Sequence, residues 1–235
     1  MKKTKGKLFG IAGILLAAFA LWTLAVQHID VQAIGPNGSS VGFAGLNGWV
    51  HDLTGVHMGL YVLTDWLGLV PMGFVLGFAV LGLVQWMRRR KLFRVDHDIL
   101  FLGGFYLLVL ILYLVFETVA VNARPVLIDG RLEASYPSST TMLVLCVMPT
   151  AMMQLRARIR NTKVRTIVLT ILAVFTACMV VGRLIAGVHW FTDIIGDPSG
   201  AEIMAELVIA YNALGDEVNA EKYKKKMDLV RNSAE

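Results

Sequence analysis

The fold and chemistry of this chain are organised around residues 182–193, which read GRLIAGVHWFTD. This stretch places Arg183, His189 and Asp193 at the end of an apolar segment. His189 and Asp193 are four residues apart, a spacing that puts both on one face of a helix, where the carboxylate orients the imidazole. An arginine beside such a pair is suited to bind a phosphate oxyanion. The alternative is a set of polar side chains snorkelling at a membrane boundary.

The composition is that of an integral membrane protein. Of the 235 residues, 56% are hydrophobic, and the mean hydropathy is +0.64, which is too apolar for a soluble domain. Charged residues are sparse and clustered, so membrane topology explains the pI of about 9.3 and no nucleic-acid partner is needed. Cys146 and Cys178 lie in apolar runs, and no Cys/His cluster has metal-ligand spacing. We therefore predict no disulfide framework, no metal and no other cofactor.

Five apolar segments are each long enough to cross a bilayer as a helix. The first follows four lysines, as in a signal peptide, but it does not end in a small-residue cleavage site. We interpret it as an uncleaved first span. The predicted spans are residues 8–26, 60–87 with a kink at Pro71, 99–119, 139–155 and 166–185. The expected fold is an all-α, multi-span helical membrane bundle.

Lysine and arginine decide the predicted orientation. The N-terminus has four, and the loops after the second and fourth spans have five each. The opposite side has only Arg124 and Arg131 in its loops, plus Arg183. The positive-inside rule therefore places the N-terminus in the cytoplasm. Arg124 and residues 182–193 then lie on the outer face of the cell membrane.

A second polar segment, SYPSSTT at residues 135–141, opens the fourth span. Pro137 is suited to the first turn of a helix. The backbone N–H groups and hydroxyls of Ser138, Ser139 and Thr140 form an anion cradle at a positive helix end. The simpler alternative is an ordinary N-cap. With two arginines predicted on the same side, phosphate binding is the better interpretation.

Three segments together resemble the signature motifs of the type 2 phosphatidic acid phosphatase superfamily. They are NARP at 122–125, SYPSS at 135–139, and the Arg…His…Asp pattern of 182–193. The resemblance covers roughly residues 1–196, and the third motif is its most specific part. Membrane members of that family have six spans and a site that faces outward, in agreement with the orientation predicted above.

The resemblance implies a lipid phosphatase that needs no metal. His189 would attack phosphorus and form a phosphohistidine, while Asp193 would hold the histidine tautomer and stabilise the charged ring. The phosphoryl oxygens would be held by Arg124, Arg183, Ser138 and Ser139. The expected activity is hydrolysis of a phosphoric monoester or a diphosphate, with a lipid phosphate as substrate among the membrane lipids.

Two positions depart from the family pattern. Glu117 stands where the first motif begins with lysine, and a carboxylate there repels phosphate unless it is protonated or paired, for example with Arg183. Thr140 stands where the second motif has the histidine that protonates the leaving group. Losing a general acid typically costs about 10²–10⁴ in rate, and the loss matters least for an acidic leaving group. These departures favour a polyprenyl diphosphate over a phosphatidate.

Two other functions compete with the enzyme. One is a catalytically degenerate relative that binds a lipid phosphate or a partner without turnover. The other, a transporter, has little support, because no inverted repeat is visible and the polar residues gather at one face.

The C-terminal residues follow a different pattern. DPSG at 197–200 interrupts the apolar sequence, and the amphipathic segment 201–227 resembles one tetratricopeptide repeat with Gly215 at the turn. We therefore predict a membrane phosphatase-like domain at 1–196 and a helical hairpin at 197–235. One repeat cannot bury its apolar face alone, so the hairpin must pack on the membrane domain, a protein partner or a second copy.

Overall fold

The computed structural model describes residues 2–196, and they form a helical bundle. The predicted boundary at residue 196 and the tetratricopeptide-like hairpin lie outside the described residues. Seven α-helices follow one another up to residue 185: α1 Lys2–His28, α2 Ala44–Thr54, α3 Met58–Leu67, α4 Leu69–Arg89, α5 His97–Thr118, α6 Ser139–Arg158 and α7 Thr162–Ile185. A further helical segment begins at residue 191. Within this part of the chain, extended pairing is limited to isolated bridges in loops.

The helices confirm the predicted class of an all-α membrane bundle. Four are long and apolar enough to span a membrane: Met58–Arg89 (α3 with α4), α5, α6 and α7. A shorter apolar segment, Gly13–His28, belongs to α1. The helix bounds lie close to the predicted spans, because long apolar runs specify membrane helices without help from tertiary contacts.

The second span is interrupted at Gly68, between α3 and α4. The N–H of Gly68 donates to the carbonyl of Thr64 at 3.0 Å, which closes α3. Pro71 is the third residue of α4, and in a first turn its missing N–H costs no helical hydrogen bond. The predicted irregularity is therefore present, but it lies one turn before the proline.

Helix α6 lies at the centre of the bundle and packs against α4, α5 and α7. Half of its most apolar stretch is buried, and its mean hydropathy of 1.2 is the lowest among the four spans. Thr141, Thr150 and Gln154 are buried in it. A helix surrounded by protein can carry polar side chains that lipid would disfavour, provided that they find partners. Thr150 does so, because its hydroxyl donates to the carbonyl of Val147 at 2.9 Å.

The segment between α1 and α3 folds back over the end of the bundle. Asn47 of α2 is fully buried and donates from Nδ2 to the Thr192 hydroxyl at 2.9 Å. Its Oδ1 accepts from the N–H of Thr192 at 3.1 Å. The N–H of His57 donates to the carbonyl of Ala186 at 3.0 Å. The segment between α1 and α3 is therefore a cap that fixes the position of the residues around His189.

Candidate active site

The predicted site residues gather at one end of the bundle. This is the end at which α5 and α7 finish and α6 begins. Arg124, Arg183, His189 and Asp193 are each less than a tenth exposed. Four ionisable side chains are thus held together in little contact with solvent.

His189 does not lie on a helix with Asp193, contrary to the prediction from their spacing. Helix α7 ends at Ile185, the chain turns through residues 186–190, and helix resumes at 191–196. Gly187 makes this turn possible, because its φ is +69° and an added Cβ would lie 1.9 Å from the Gly55 carbonyl oxygen. His189 therefore lies in the turn and Asp193 in the helix that follows it, an arrangement that the four-residue spacing alone does not predict.

The contacts of His189 define its tautomer. Nδ1 lies 3.0 Å from the Ser135 carbonyl oxygen, which can only accept a hydrogen bond, so the Nδ1–H donates there. On the other side, Nη2 of Arg183 donates to Nε2 at 3.3 Å. A guanidinium only donates, so Nε2 carries the lone pair. This is the tautomer that a nucleophilic Nε2 requires.

Asp193 reaches the imidazole through Ser135. The hydroxyl of Ser135 donates to Asp193 Oδ2 and lies 3.2 Å from His189 Nδ1. Oδ2 also accepts from the backbone N–H of Trp190 at 2.9 Å, and Oδ1 accepts from Asn122 Nδ2 at 3.3 Å. The Trp190 contact resembles the reciprocal bond of a capping box, in which a carboxylate at the third helical position bonds the N-cap amide. Ser135 and Asn122 thus join the site, although the sequence assigned them no role.

Arg183 lies between the imidazole and helix α3. Its Nη1 donates to the Thr64 hydroxyl at 3.4 Å and is 3.8 Å from Asp65 Oδ1. The guanidinium carbon lies 5.0 Å from the ring centroid of Tyr61, a cation–π contact. Three residues of one helix therefore hold this arginine at its position beside His189.

Arg124 approaches the same tyrosine ring from the segment after α5. Its guanidinium carbon is 5.8 Å from the Tyr61 centroid, and its Nε is 3.2 Å from Glu133 Oε2. Nη1 is buried and has no hydrogen-bond partner among residues 2–196. A buried N–H without a partner is costly, and an anion at this point would satisfy it.

Burial and positive charge shift the titration of the two central groups. Burial lowers the pKa of His189 well below its usual value, and the nearby charges of Arg124 and Arg183 lower it further. Burial raises the pKa of Asp193 to about 6, against the opposing effect of its hydrogen bonds from Ser135, Trp190 and Asn122. At neutral pH the histidine is therefore uncharged and the aspartate is ionised.

The segment before α6 forms only part of the expected anion cradle. Ser138 is the N-cap of α6, and its Oγ accepts from the N–H and the hydroxyl of Thr141 at 3.4 and 3.0 Å. The backbone N–H of Ser138 donates to the Asp193 carbonyl at 3.4 Å, so this N–H is already used. Ser138 is therefore an N-cap, the simpler of the two alternatives, whereas Ser139 lines the cavities beside the site.

Two cavities meet at Ser139. The smaller, of about 20 Å³, is also lined by Glu117, Arg124 and His189. The larger, of about 930 Å³, contains Thr140 and runs between α4, α5 and α6. Glu117 therefore faces the histidine side of the site, while Thr140 faces the larger cavity.

The larger cavity is an apolar groove that extends along most of α4. Its lining begins near the site with Asp65, Gly68, Ser139 and Thr140 and continues to residues such as Trp86, Val95 and Ile99. Gly103 also lines it, with no atom within 4 Å of the position that a Cβ would take. The groove has the shape and polarity to accept a hydrocarbon chain whose polar end lies beside Ser139.

A solved structure shares this fold. The crystal structure of the first transmembrane PAP2-type phosphatidylglycerolphosphate phosphatase, from Bacillus subtilis, superposes with a TM-score of 0.61 and 18% sequence identity. The match covers 86% of this chain and 96% of that one. No curated protein sequence matches the chain.

The family model of the PAP2 superfamily matches residues 102–196. The matched residues contain Arg124, the SYPSS segment and the whole of 182–193. This match supports a membrane lipid phosphatase, and the four apolar spans support an integral membrane protein. The resemblance seen in the three motifs is therefore confirmed over residues 102–196, the part of the chain that matches the PAP2 superfamily model.

Proposed function

We propose that this protein is a lipid diphosphatase of the outer membrane face, in which His189 forms a phosphohistidine and a polyprenyl diphosphate is the preferred class of substrate. One observation carries the proposal. The lone pair on His189 Nε2 lies beside Arg183, at 3.3 Å, and close to a second buried arginine that has an unsatisfied N–H. A neutral nucleophile facing two guanidinium groups is suited to attack a phosphoryl group.

The first step forms a bond between Nε2 and phosphorus as the bond from phosphorus to the leaving oxygen breaks. Arg124, Arg183 and Ser139 neutralise and position the phosphoryl oxygens. The imidazole becomes positively charged. The Ser135 carbonyl accepts from its Nδ1–H, and Asp193 stabilises the charge through the Ser135 hydroxyl. The histidine gains charge only as the reaction proceeds, so these contacts favour the transition state over the ground state.

The apolar groove supports a lipid substrate. It begins at Ser139 and Thr140 and follows α4 through the bundle. A substrate whose phosphoryl group lies on Ser139 would place its hydrocarbon chain in this groove. Each buried methylene contributes about 0.8 kcal/mol, so the groove also accounts for affinity.

Thr140 supports a diphosphate over a phosphomonoester. Its hydroxyl cannot protonate a departing alkoxide at neutral pH. A prenyl monophosphate leaving from a diphosphate is a far weaker base and needs little protonation. The proposed preference therefore follows from the chemistry of one side chain on the leaving-group side.

The distribution of charge supports an outward-facing site. The opposite end of the bundle holds the ion pairs Arg158–Asp98 at 2.8 Å and Arg89–Asp96 at 2.7 Å. It also carries the basic residues that the positive-inside rule assigns to the cytoplasm. The site lies at the other end, so we propose that it opens to the extracytoplasmic side.

The second candidate function is binding of a lipid phosphate without turnover. Glu117 beside His189 and the missing acid at Thr140 favour it. Such a protein would keep the arginines and the groove, yet it would never form a phosphohistidine.

The test is phosphate release in detergent micelles from farnesyl diphosphate and from phosphatidate. We expect the wild-type chain to release phosphate, with farnesyl diphosphate preferred, and His189→Ala to abolish release. The matched control is His28→Ala, which removes an exposed histidine whose ring bonds the Leu24 carbonyl of its own helix. Lipid binding without release by the wild-type chain would instead establish the binding function.

A further inference from the structure

The second half-reaction needs a group that the motifs leave out. Hydrolysis of a phosphohistidine requires a water molecule to lose a proton as it attacks phosphorus. Asp193 does not fill this role, because it lies behind the imidazole, bonded to Ser135, Trp190 and Asn122. Thr140 is no base either. Two carboxylates lie in the walls of the cavities, Asp65 in the larger and Glu117 in the smaller.

We propose that Asp65 is the general base that activates water for hydrolysis of the phosphohistidine. This inference rests on the proposed function. Asp65 belongs to α3, is 60% exposed, and lies 3.8 Å from Nη1 of Arg183, the arginine that also contacts His189 Nε2. As the acidic partner of that ion pair, it carries a carboxylate able to accept a proton.

The two cavities indicate the side from which water attacks. In phosphoryl transfer, the attacking and leaving groups are roughly in line through phosphorus. With the phosphoryl group on Ser139 and the nucleophile His189 in the small cavity, the leaving group departs into the large groove. Water then enters from the groove, opposite the Nε2–P bond. Asp65 lines this groove, whereas Glu117 lines the small cavity.

Asp65 also lies near the position of the missing histidine. A Cβ placed on Gly68, which begins the turn after Asp65, would lie 3.4 Å from Cγ2 of Thr140. Both Asp65 and Thr140 line the groove mouth. The Asp65 carboxylate of α3 thus lies on the groove side of the site, where it can replace the histidine that α6 lacks at Thr140.

Hydrolysis of the phosphohistidine exchanges the Nε2–P bond for a new P–O bond. A water oxygen forms a bond to phosphorus, the Nε2–P bond breaks, and its electron pair returns to Nε2. The water proton moves to a carboxylate oxygen of Asp65. Inorganic phosphate is released, His189 is again neutral, and Asp65 passes its proton to a further water molecule.

The experiment follows both half-reactions with farnesyl diphosphate labelled in its terminal phosphate. The variants are Asp65→Asn, with Asp52→Asn as the control at an exposed carboxylate of α2. We expect Asp65→Asn to form farnesyl monophosphate in a burst equal to the enzyme concentration. Labelled phosphohistidine then accumulates, and steady-state phosphate release falls by about 10²–10⁴. Asp52→Asn should match the wild-type chain.

Two further variants separate catalysis from positioning. Asp65→Glu should restore part of the steady-state rate. Added formate should speed release in Asp65→Ala, since a small carboxylate can occupy the vacated space. If Asp65→Asn loses the burst of farnesyl monophosphate as well as steady-state turnover, then the first half-reaction also needs Asp65. Asp65 would then only position Arg183, and the inference would be overturned. Accumulation in Glu117→Gln instead of Asp65→Asn would overturn it as well.

Failure of the proposed function would look different. If the wild-type chain neither becomes labelled nor releases phosphate, then the phosphatase proposal itself fails. If the wild-type chain turns over and Asp65→Asn is unchanged, then only the role of Asp65 is wrong.

Discussion

Ser135→Ala is expected to slow catalysis without unfolding the site. The substitution removes the hydroxyl that links Asp193 to His189, but it keeps the backbone carbonyl that fixes the imidazole Nδ1–H. A hydrogen bond to a charged group contributes about 1.5–3 kcal/mol. Asp193 retains its contacts with Trp190 and Asn122, so the lower end of this range applies.

At about 1.4 kcal/mol for each factor of ten, the expected loss is about 10- to 30-fold. It should appear in kcat and leave KM nearly unchanged, because the imidazole becomes charged only during reaction. The assay is the initial rate of phosphate release from farnesyl diphosphate across substrate concentrations. Thermal unfolding in the same detergent is followed in parallel.

The control is Ser39→Ala, which removes another buried hydroxyl that has no hydrogen-bond partner among residues 2–196. It should behave like the wild-type chain in both assays. A Ser135→Ala variant with wild-type kcat would refute the link through the hydroxyl. If Ser135→Ala loses activity only to the extent that its lower melting temperature leaves less folded enzyme, then Ser135 serves the fold and not the reaction.

Changes at Gly187, Asp193 and Gly103 should each have a measurable effect. Gly187→Ala should lower the free energy of unfolding by at least about 1 kcal/mol, because the residue has φ of +69° and its Cβ would lie 1.9 Å from the Gly55 carbonyl oxygen; thermal unfolding measures this. Protonation of Asp193, whose pKa burial raises to about 6, should reduce kcat/KM as the pH falls below 6, because the protonated carboxyl no longer stabilises the charged imidazole; a pH profile of phosphate release measures this. Gly103→Phe should fill the groove and raise KM for farnesyl diphosphate about tenfold, equivalent to about two lost methylene contacts, while leaving a short-chain diphosphate unaffected.

Each of these predictions has a matched comparison. Gly104→Ala, at a position with no atom within 4 Å of the added Cβ, should leave the unfolding free energy within about 1 kcal/mol of wild type, and a similar loss would contradict the turn argument. The substrate phosphate also titrates near pH 6 and contributes its own fall in kcat/KM at low pH. Asp193→Asn should therefore lose the contribution of Asp193 to this fall. An unchanged pH profile in Asp193→Asn would mean that the fall comes from the substrate alone. Gly104→Phe adds the same bulk beside the groove lining and should spare KM.

Titration of Asp193 is expected to lower activity on the acid side of its pKa. A carboxyl group with a raised pKa holds its proton up to a higher pH than a free aspartate, so the active carboxylate is present above about pH 6 and lost below it. The lowered pKa of His189 keeps the nucleophile neutral through this range. As the pH falls, the first loss of activity from the wild-type enzyme is therefore due to protonation of Asp193 and not of His189.

The sequence alone determined the membrane bundle and most of the chemistry at its end. Runs of about 20 apolar residues specify spanning helices by themselves, because a backbone in lipid must satisfy its own hydrogen bonds. Arg124, Arg183 and His189 stand out in the sequence because ionisable residues are rare at such positions. Their types indicated phosphate chemistry before any contact was known.

The tertiary structure decided how these residues are connected. Ser135 lies 54 residues from His189 and 58 from Asp193 along the chain, and yet its hydroxyl joins them. Asp65 and Tyr61 reach the site from α3, although neither belongs to the three motifs. Periodicity reports only neighbours within a few residues, whereas these contacts arise when separate helices end at the same level of the bundle. The turn at Gly187 replaced the predicted helical face for the same reason: it packs against Gly55, far away in sequence, and that contact overrides the local four-residue spacing.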